Sequence, residues 1–236
     1  MAAIQTIIDN CNGMTINRRK VVGQQITRNQ IPRVSTTPTK NPWTMELDMP
    51  TSFQYNDARA LMESTDTLDR TGYEDVTFSN NTALNWIYRY QGSFAISQLN
   101  GLTINSFVGN QMVLSGLPAV NANRVIFEPN DLIQVAGFPY PFTSTTRVTR
   151  GTGGTVTVTT HRPNILSNPS NLSPPPWEGL NILVGNNCIF RLFCPNMPVY
   201  KLIVGGIQYS AGGTIVGNAL IEWSAPFQLY EYVGTS

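Results

Sequence analysis

The chain has 236 residues, of which 41% are apolar and only 12% are charged, and its formal net charge is +1. This length and apolar content suffice for one large domain, or for a core domain with a smaller insertion. The near-neutral charge gives no electrostatic case for a protein that binds nucleic acid or an anionic membrane. Few charges and abundant Gly, Asn, Thr, Ser and Pro are typical of an all-β protein whose surfaces meet other subunits.

The N-terminal segment and the cysteines indicate a protein made and assembled in a cytoplasm. MAAIQTIIDN lacks the charged start and long apolar centre of a signal peptide, and no apolar run is long enough to span a bilayer. Cys11, Cys188 and Cys194 are an odd, sparse set, which argues against a disulfide framework. We predict that Cys188 and Cys194 share a strand face as small apolar side chains. With His161 as the sole histidine, we predict no metal site and no cofactor.

The first elements of the chain predict strands. Residues 14–34 indicate two short strands joined near Gly23. The basic run at residues 18–20 is interpreted as a solvated edge rather than a phosphate site. In the next strand, the side chains alternate between a core face with Trp43, Met45, Leu47 and Met49 and a solvated face with Thr44, Glu46 and Asp48.

Residues 56–68 form the one segment with a convincing helical period. Asn56 is the predicted N-cap, and Gly72 lies just beyond the predicted end. A helix this short is marginal by itself in water, so we expect its apolar stripe to pack on a sheet. That stripe consists of Ala58, Leu61, Met62, Thr65 and Leu68.

Residues 84–96 predict a strand with an aromatic row on one face. Such a row can stack on sugar rings or on bases, or it can pack across neighbouring strands. Both interpretations remain open. The candidate interaction surface therefore consists of Trp86, Tyr88 and Tyr90, together with Trp177.

No catalytic constellation is evident. His161 lies beside a proline-rich stretch, without a nucleophile in a recognisable arrangement. The carboxylate pairs, Glu63 with Asp66 and Glu74 with Asp75, are interpreted as helix surface and strand edge. The sequence therefore predicts that the chain is not an enzyme.

The second half of the chain predicts a β insert followed by the rest of the core. Short alternating runs fill about residues 100–166, and the GTGG turn at 151–154 lacks the Lys-Ser/Thr of a phosphate loop. The prolines between 163 and 176 indicate an extended, poorly packed linker. Strands follow at 189–193 and 200–204, then a glycine-rich hairpin tip, then a long strand at 220–232 bent at Pro226.

We accordingly assign residues 1–99 and 186–236 to one core and residues 100–185 to the insertion and linker. The strands from the two ends of the chain are expected to pair in one sheet system, on which the helix packs.

Seven sequence segments follow one another along the chain: TMELDMP, DARALMESTDTL, YEDVTF, LNWIYRYQGSF, PNDLIQVAGFPYPFTSTTRV, TVTVTTHRP and ALIEWSAPFQLYEYV. In this order they resemble the tail and baseplate structural proteins of contractile-tailed bacteriophages, especially those that infect marine cyanobacteria. The resemblance, to tail-tube-like or distal-tail-like proteins, implies an antiparallel β-sandwich or barrel with one packed helix and a small β-barrel-like insert.

The same resemblance implies a structural role in the virion. Such proteins form rings, here most simply sixfold, at the junction of the tail tube with the baseplate or hub. They contact copies of themselves and other tail proteins, and DNA passes through the lumen without being bound. A strand face with Glu46 and Asp48 suits such a lumen, because negative charge repels DNA. The alternative is a tail or fibre module that binds host glycans through the aromatic residues.

Overall fold

The computed structural model describes residues 3–18, 22–26, 32–36, 42–50, 53–68, 72–168, 171–203, 211–212 and 220–233. The fold is mainly β, as predicted. In chain order its elements are α1 (Ala3–Asn10), β1 (Gly13–Asn17), β2 (Val22–Ile26), β3 (Pro32–Thr36), β4 (Thr44–Asp48), β5 (Phe53–Gln54), α2 (Tyr55–Thr67), β6 (Glu74–Val76), α3 (Thr82–Tyr88), β7 (Tyr90–Gln91), β8 (Phe94–Ala95), β9 (Thr103–Val108), β10 (Gln111–Ser115), β11 (Val125–Phe127), β12 (Leu132–Val135), β13 (Phe142–Thr143), β14 (Val148–Thr149), β15 (Val156–Thr159), β16 (Ile182–Val184), β17 (Phe190–Phe193), β18 (Tyr200–Ile203), β19 (Leu220–Trp223) and β20 (Phe227–Glu231).

The chain divides into two compact units. The first contains residues 1–17, 43–76 and 191–232, and the second contains residues 18–42, 77–190 and 233–236. The division thus lies after residue 76 rather than after residue 99. The reason is that residues 77–99 contribute Phe94, Ile96 and Leu99 to the core of the second unit.

The first unit is built around a five-stranded sheet in the order β1-β4-β20-β17-β6. Met45 pairs with Leu229 and Leu47 pairs with Phe227, so strands from the two ends of the chain do lie side by side. The alternation predicted for β4 is confirmed. Trp43, Met45 and Leu47 are buried, whereas Glu46 and Asp48 are exposed.

The predicted helix is α2, and its apolar stripe is confirmed. Ala58, Leu61, Met62 and Thr65 are buried, and Leu68 is half-buried just beyond the helix end. Ala58 and Met62 pack with Ile221 of β19, in the three-stranded sheet β18-β19-β5. Asn56 lies inside the helix rather than at its N-cap, because β5 runs directly into α2 at Tyr55.

Two further helices, α1 and α3, are absent from the sequence prediction. In α1, Ile4, Ile7 and Ile8 have helical spacing and are buried. The backbone N–H groups of Ala3 and Ile4 donate to the two carboxylate oxygens of Glu74, at 3.0 and 2.8 Å. A helix start needs acceptors for its unpaired N–H groups, and a distant carboxylate supplies them here.

Three strand predictions need correction. Gly23 lies inside β2, paired with Ser35, and does not join two strands. Residues 220–232 are two strands in different sheets, because Pro226 cannot donate to a ladder and separates β19 from β20. Cys188 and Cys194 are both buried, but they flank β17 rather than share a strand face. Most of the predicted glycine-rich hairpin tip lies outside the described residues.

The second unit contains the small sheets β15-β10-β9, β13-β12-β16, β11-β14 and β7-β8, together with the β2-β3 hairpin. These sheets do not close into the predicted barrel. Their apolar faces share one core, to which Leu166 and Trp177 also belong. Leu166 and Trp177 anchor the proline-rich stretch in this core, whereas residues 171–176 are mostly exposed, which agrees with the predicted poor packing.

The turn predicted at residues 151–154 lies between β14 and β15, and Gly151 adopts a φ of +61° there. Among the described residues, no helix combines the length and the apolar character needed to cross a bilayer.

Candidate functional site

Helix α3 replaces the predicted aromatic strand. The Oδ1 atom of Asn81 accepts hydrogen bonds from the N–H groups of Ala83 and Leu84, both at 3.1 Å, which starts the helix. Asn81, the last residue of the polar turn before α3, is therefore the N-cap of this helix. None of the seven residues of α3 is buried, and the Trp86 side chain is 74% exposed.

The four predicted interaction residues do not form one surface. Tyr88 is half-buried, with its ring centroid 5.5 Å from that of Phe78, and burial raises the pKa of its phenol. Trp177 is only 8% exposed and lies in the core of the second unit. Tyr90 lies in β7, and its side chain is outside the described part of the structure. Among the three of these residues whose side chains are described, Trp86 is the one with an exposed aromatic ring.

Trp86 lines a cleft of about 690 Å³ within the second unit, which we name the α3 cleft. The other polar residues that line it are Asn80, Thr82, Asn85, Arg89, Ser97, Asn100, Asn186 and Asn187. Sequence reasoning missed this site because its residues come from three separate segments.

Hydrogen bonds fix one wall of the α3 cleft. The amide nitrogen of Asn85 donates to the carbonyl of Ser79 at 2.7 Å, and the amide nitrogen of Asn186 donates to Oδ1 of Asn85 at 2.5 Å. Gly185 permits this close approach. Its φ is +58°, and a Cβ at this position would lie 2.2 Å from the carbonyl oxygen of Tyr88.

The carboxylate of Asp131 holds the turn of the β7-β8 hairpin through a hydrogen bond. Oδ2 of Asp131 accepts from the N–H groups of Gly92 and Glu128, both at 2.7 Å. Burial raises the pKa of Asp131 to about 6, and the two N–H donors only partly offset this effect.

This raised pKa predicts a specific pH dependence of stability. The folded state holds the Asp131 proton more tightly than the unfolded chain, so this contribution is complete below about pH 4 and is lost as the pH rises through 6. Asp131→Asn keeps an oxygen acceptor and removes the titration. We measure the free energy of unfolding by urea denaturation at pH 4 and at pH 7. The decrease between these two pH values should be smaller in the variant than in the parent chain, by on the order of 1 kcal/mol. Parallel pH profiles would contradict this assignment.

The first unit carries a second exposed feature, which we name the tyrosine cluster: Tyr73, Arg191, Phe193, Tyr230 and Tyr232. The rings of Tyr73 and Tyr232 stack with centroids 4.7 Å apart, although these residues are 47% and 36% exposed. Phe193 contacts Tyr230 and Tyr232 at 5.9 and 6.0 Å. The guanidinium of Arg191 lies 4.4 Å from the Tyr73 centroid.

The exposed face of the five-stranded sheet is otherwise polar. Glu46 pairs with Thr15 on one side and with Gln228 on the other, and all three side chains are exposed. Asp48 lies on the same face of β4 and is also exposed. The predicted polar strand face is thus present.

Glu74, Asp75 and His161, which the sequence analysis weighed as catalytic candidates, form hydrogen bonds with the backbone or with other side chains. Glu74 holds the start of α1, and Asp75 accepts two bonds from Arg191 at 2.8 and 2.9 Å. Nδ1 of His161 accepts from the N–H of Thr143 at 3.0 Å. Burial, with Arg162 and Arg18 nearby, lowers the pKa of His161 to about 3, so the imidazole is neutral at pH 7.

Arg18 is not part of a solvated edge. It is half-buried, and its guanidinium donates to Oγ1 of Thr143 and to Oδ1 of Asn130. Arg19 and Lys20 lie outside the described residues. None of the three cysteines forms a disulfide, and burial raises the pKa of the Cys188 thiol. Within the described ranges, no cluster of His, Cys, Asp and Glu has the arrangement of a metal site.

No family model matches the chain, and no curated protein matches it.

Proposed function

We propose that this chain is a structural subunit of a bacteriophage tail that forms a ring at the junction of tube and baseplate. The observation that carries the proposal is the tyrosine cluster, a partly exposed patch of mutually contacting aromatic side chains on the first unit. The mainly β fold, with α2 packed on a sheet, is compatible with the fold that the sequence resemblance implies.

The tyrosine cluster has the composition of a subunit contact. Tyr, Phe and Arg are enriched in the centres of protein interfaces, where they contribute most of the binding energy. Arg191 is held by its paired bonds to Asp75 and by the ring of Tyr73. Because these side chains already contact one another within the subunit, they lose less conformational entropy when a neighbouring subunit binds them. Repetition of this contact around a closed axis produces a ring.

The β2-β3 hairpin adds a second argument for assembly. Among the described residues its two strands pair only with each other, from Val22 with Thr36 to Ile26 with Pro32. A strand from a neighbouring copy or from another tail protein would extend this two-stranded sheet and stabilise it.

The polar sheet face suits a channel that DNA crosses without being held. Glu46 and Asp48 lie on β4, on the same face as the tyrosine cluster but toward the β1 edge of the sheet, so a ring that turned this edge inward would present mild negative charge to the passing phosphates. On this proposal the chain needs no cofactor and binds no specific nucleic acid. It functions in the virion after assembly in the host cytoplasm.

We expect Tyr73→Ala with Tyr232→Ala to prevent incorporation into tails while the subunit stays folded. Loss of interface residues of this kind costs about 2 kcal/mol or more each, which predicts at least a tenfold loss of particle-bound chain. The measurement is quantitative mass spectrometry of particles complemented in trans. Ile87→Ala, an exposed apolar residue of the second unit, is the matched control.

Normal incorporation of the double variant would contradict a ring contact at the tyrosine cluster. A thermal unfolding scan of the purified variant separates loss of assembly from loss of folding.

A further inference from the structure

The α3 cleft combines an exposed tryptophan, several amide side chains and one cation, which the proposed ring function does not require. We propose that this cleft binds a short saccharide that carries an acidic group. Trp86 provides the stacking surface, the asparagines provide hydrogen bonds, and Arg89 contacts the acidic group. This inference goes beyond the ring proposal and does not depend on it.

Trp86 offers an exposed surface on which a sugar ring can stack. An indole that is 74% exposed leaves a large apolar surface in water. Pyranose rings offer C–H faces of similar size, and their rims carry hydroxyl groups. Stacking on Trp86 buries both apolar faces while the hydroxyl groups remain accessible to polar partners.

The asparagine side chains of the α3 cleft offer hydrogen bonds to sugar hydroxyl groups. An asparagine side chain both donates and accepts hydrogen bonds, as a sugar hydroxyl does. Five asparagines line the α3 cleft, and the bonds from Asn186 to Asn85 and from Asn85 to Ser79 orient two of them. The cleft volume of about 690 Å³ lies within the range of small-molecule sites. The site is therefore large enough for a short oligosaccharide and is partly preorganised.

Arg89 gives the α3 cleft a positive charge that favours an acidic sugar. Among the described residues that line the α3 cleft, Arg89 is the one charged side chain and none is a carboxylate. As the C-cap residue of α3, Arg89 is held near Trp86, because its N–H donates to the Trp86 carbonyl at 3.4 Å. A guanidinium binds a carboxylate through two parallel hydrogen bonds. One cation suits a single acidic sugar, whereas a polynucleotide needs a continuous basic groove.

The test is a glycan array of acidic and neutral oligosaccharides, followed by calorimetric titration of the full chain with the strongest acidic binder and its neutral counterpart. Trp86→Ala is expected to weaken binding at least tenfold, and Asn187→Ala several-fold. Arg89→Gln is expected to remove the preference for the acidic form. Ile87→Ala is the matched control, because Ile87 is exposed beside Trp86 but does not line the cleft, and it should bind as the parent chain does.

Four results would overturn the proposal. One is the absence of binding to any glycan on the array. Another is binding that Trp86→Ala leaves unchanged. The third is a Trp86→Ala variant that fails to enter particles although the parent chain binds no saccharide, which would make the α3 cleft a subunit contact. A Trp86-dependent affinity for single-stranded oligonucleotide, without saccharide binding, would likewise replace the saccharide by nucleic acid.

Discussion

Arg162→Ala should lower the free energy of unfolding by about 2–4 kcal/mol. The Arg162 side chain is completely buried, and Nη2 donates to the Pro141 carbonyl at 2.9 Å. Its guanidinium lies 5.1 Å from the Phe142 ring centroid. Truncation leaves a cavity and removes the hydrogen bond to the Pro141 carbonyl, and these losses outweigh the relief of a buried charge.

Two further variants make this prediction specific. Arg162→Met fills most of the cavity without the hydrogen bond, so its loss should be about half that of Arg162→Ala. Arg147→Ala is the surface control, because Arg147 pairs with Glu128 at 3.1 Å while the two side chains are 64% and 42% exposed. Its effect should stay within about 1 kcal/mol. Urea denaturation measures all three, and equal losses for Arg162→Ala and Arg147→Ala would contradict the account of Arg162.

Leu61→Ala is expected to cost about 2–5 kcal/mol, because Leu61 is buried in the middle of α2. Glu63→Ala, on the exposed side of the same helix, should change the free energy of unfolding by no more than about 0.5 kcal/mol. The comparison isolates packing from helix propensity. A loss below about 0.5 kcal/mol for Leu61→Ala would show that this position contributes little to the core of the first unit.

Burial periodicity made part of the fold predictable. The alternation in β4 and the stripe of α2 each follow from one buried face, and a local sequence window contains that information. Residues 84–96 misled the prediction because Trp, Tyr and Ile favour strands. The N-cap signal was nevertheless present: Asn81 precedes Thr82, Ala83 and Leu84, and its side chain starts α3.

The two surfaces were less predictable because they depend on contacts distant in sequence. Tyr73 precedes β6 and Tyr232 follows β20, and both of these strands are neighbours of β17 in the sheet, which brings the two rings together. The α3 cleft likewise requires Asn186 to approach Asn85, a contact across 101 positions. The start of α1 depends on Glu74, so no local cap signal marks it. Proline content indicated an extended linker, and residues 171–176 are indeed mostly exposed, but no local signal showed that Trp177 packs into the core.

The central claim is that this chain forms a ring in a phage tail. A cryo-EM reconstruction of the intact particle tests it most directly. We expect copies of the chain to surround the central channel at the baseplate end, most simply with sixfold symmetry, and to bury the tyrosine cluster against neighbouring subunits. A reconstruction that places the chain as a single peripheral fibre tip, with the tyrosine cluster open to solvent, would contradict the claim.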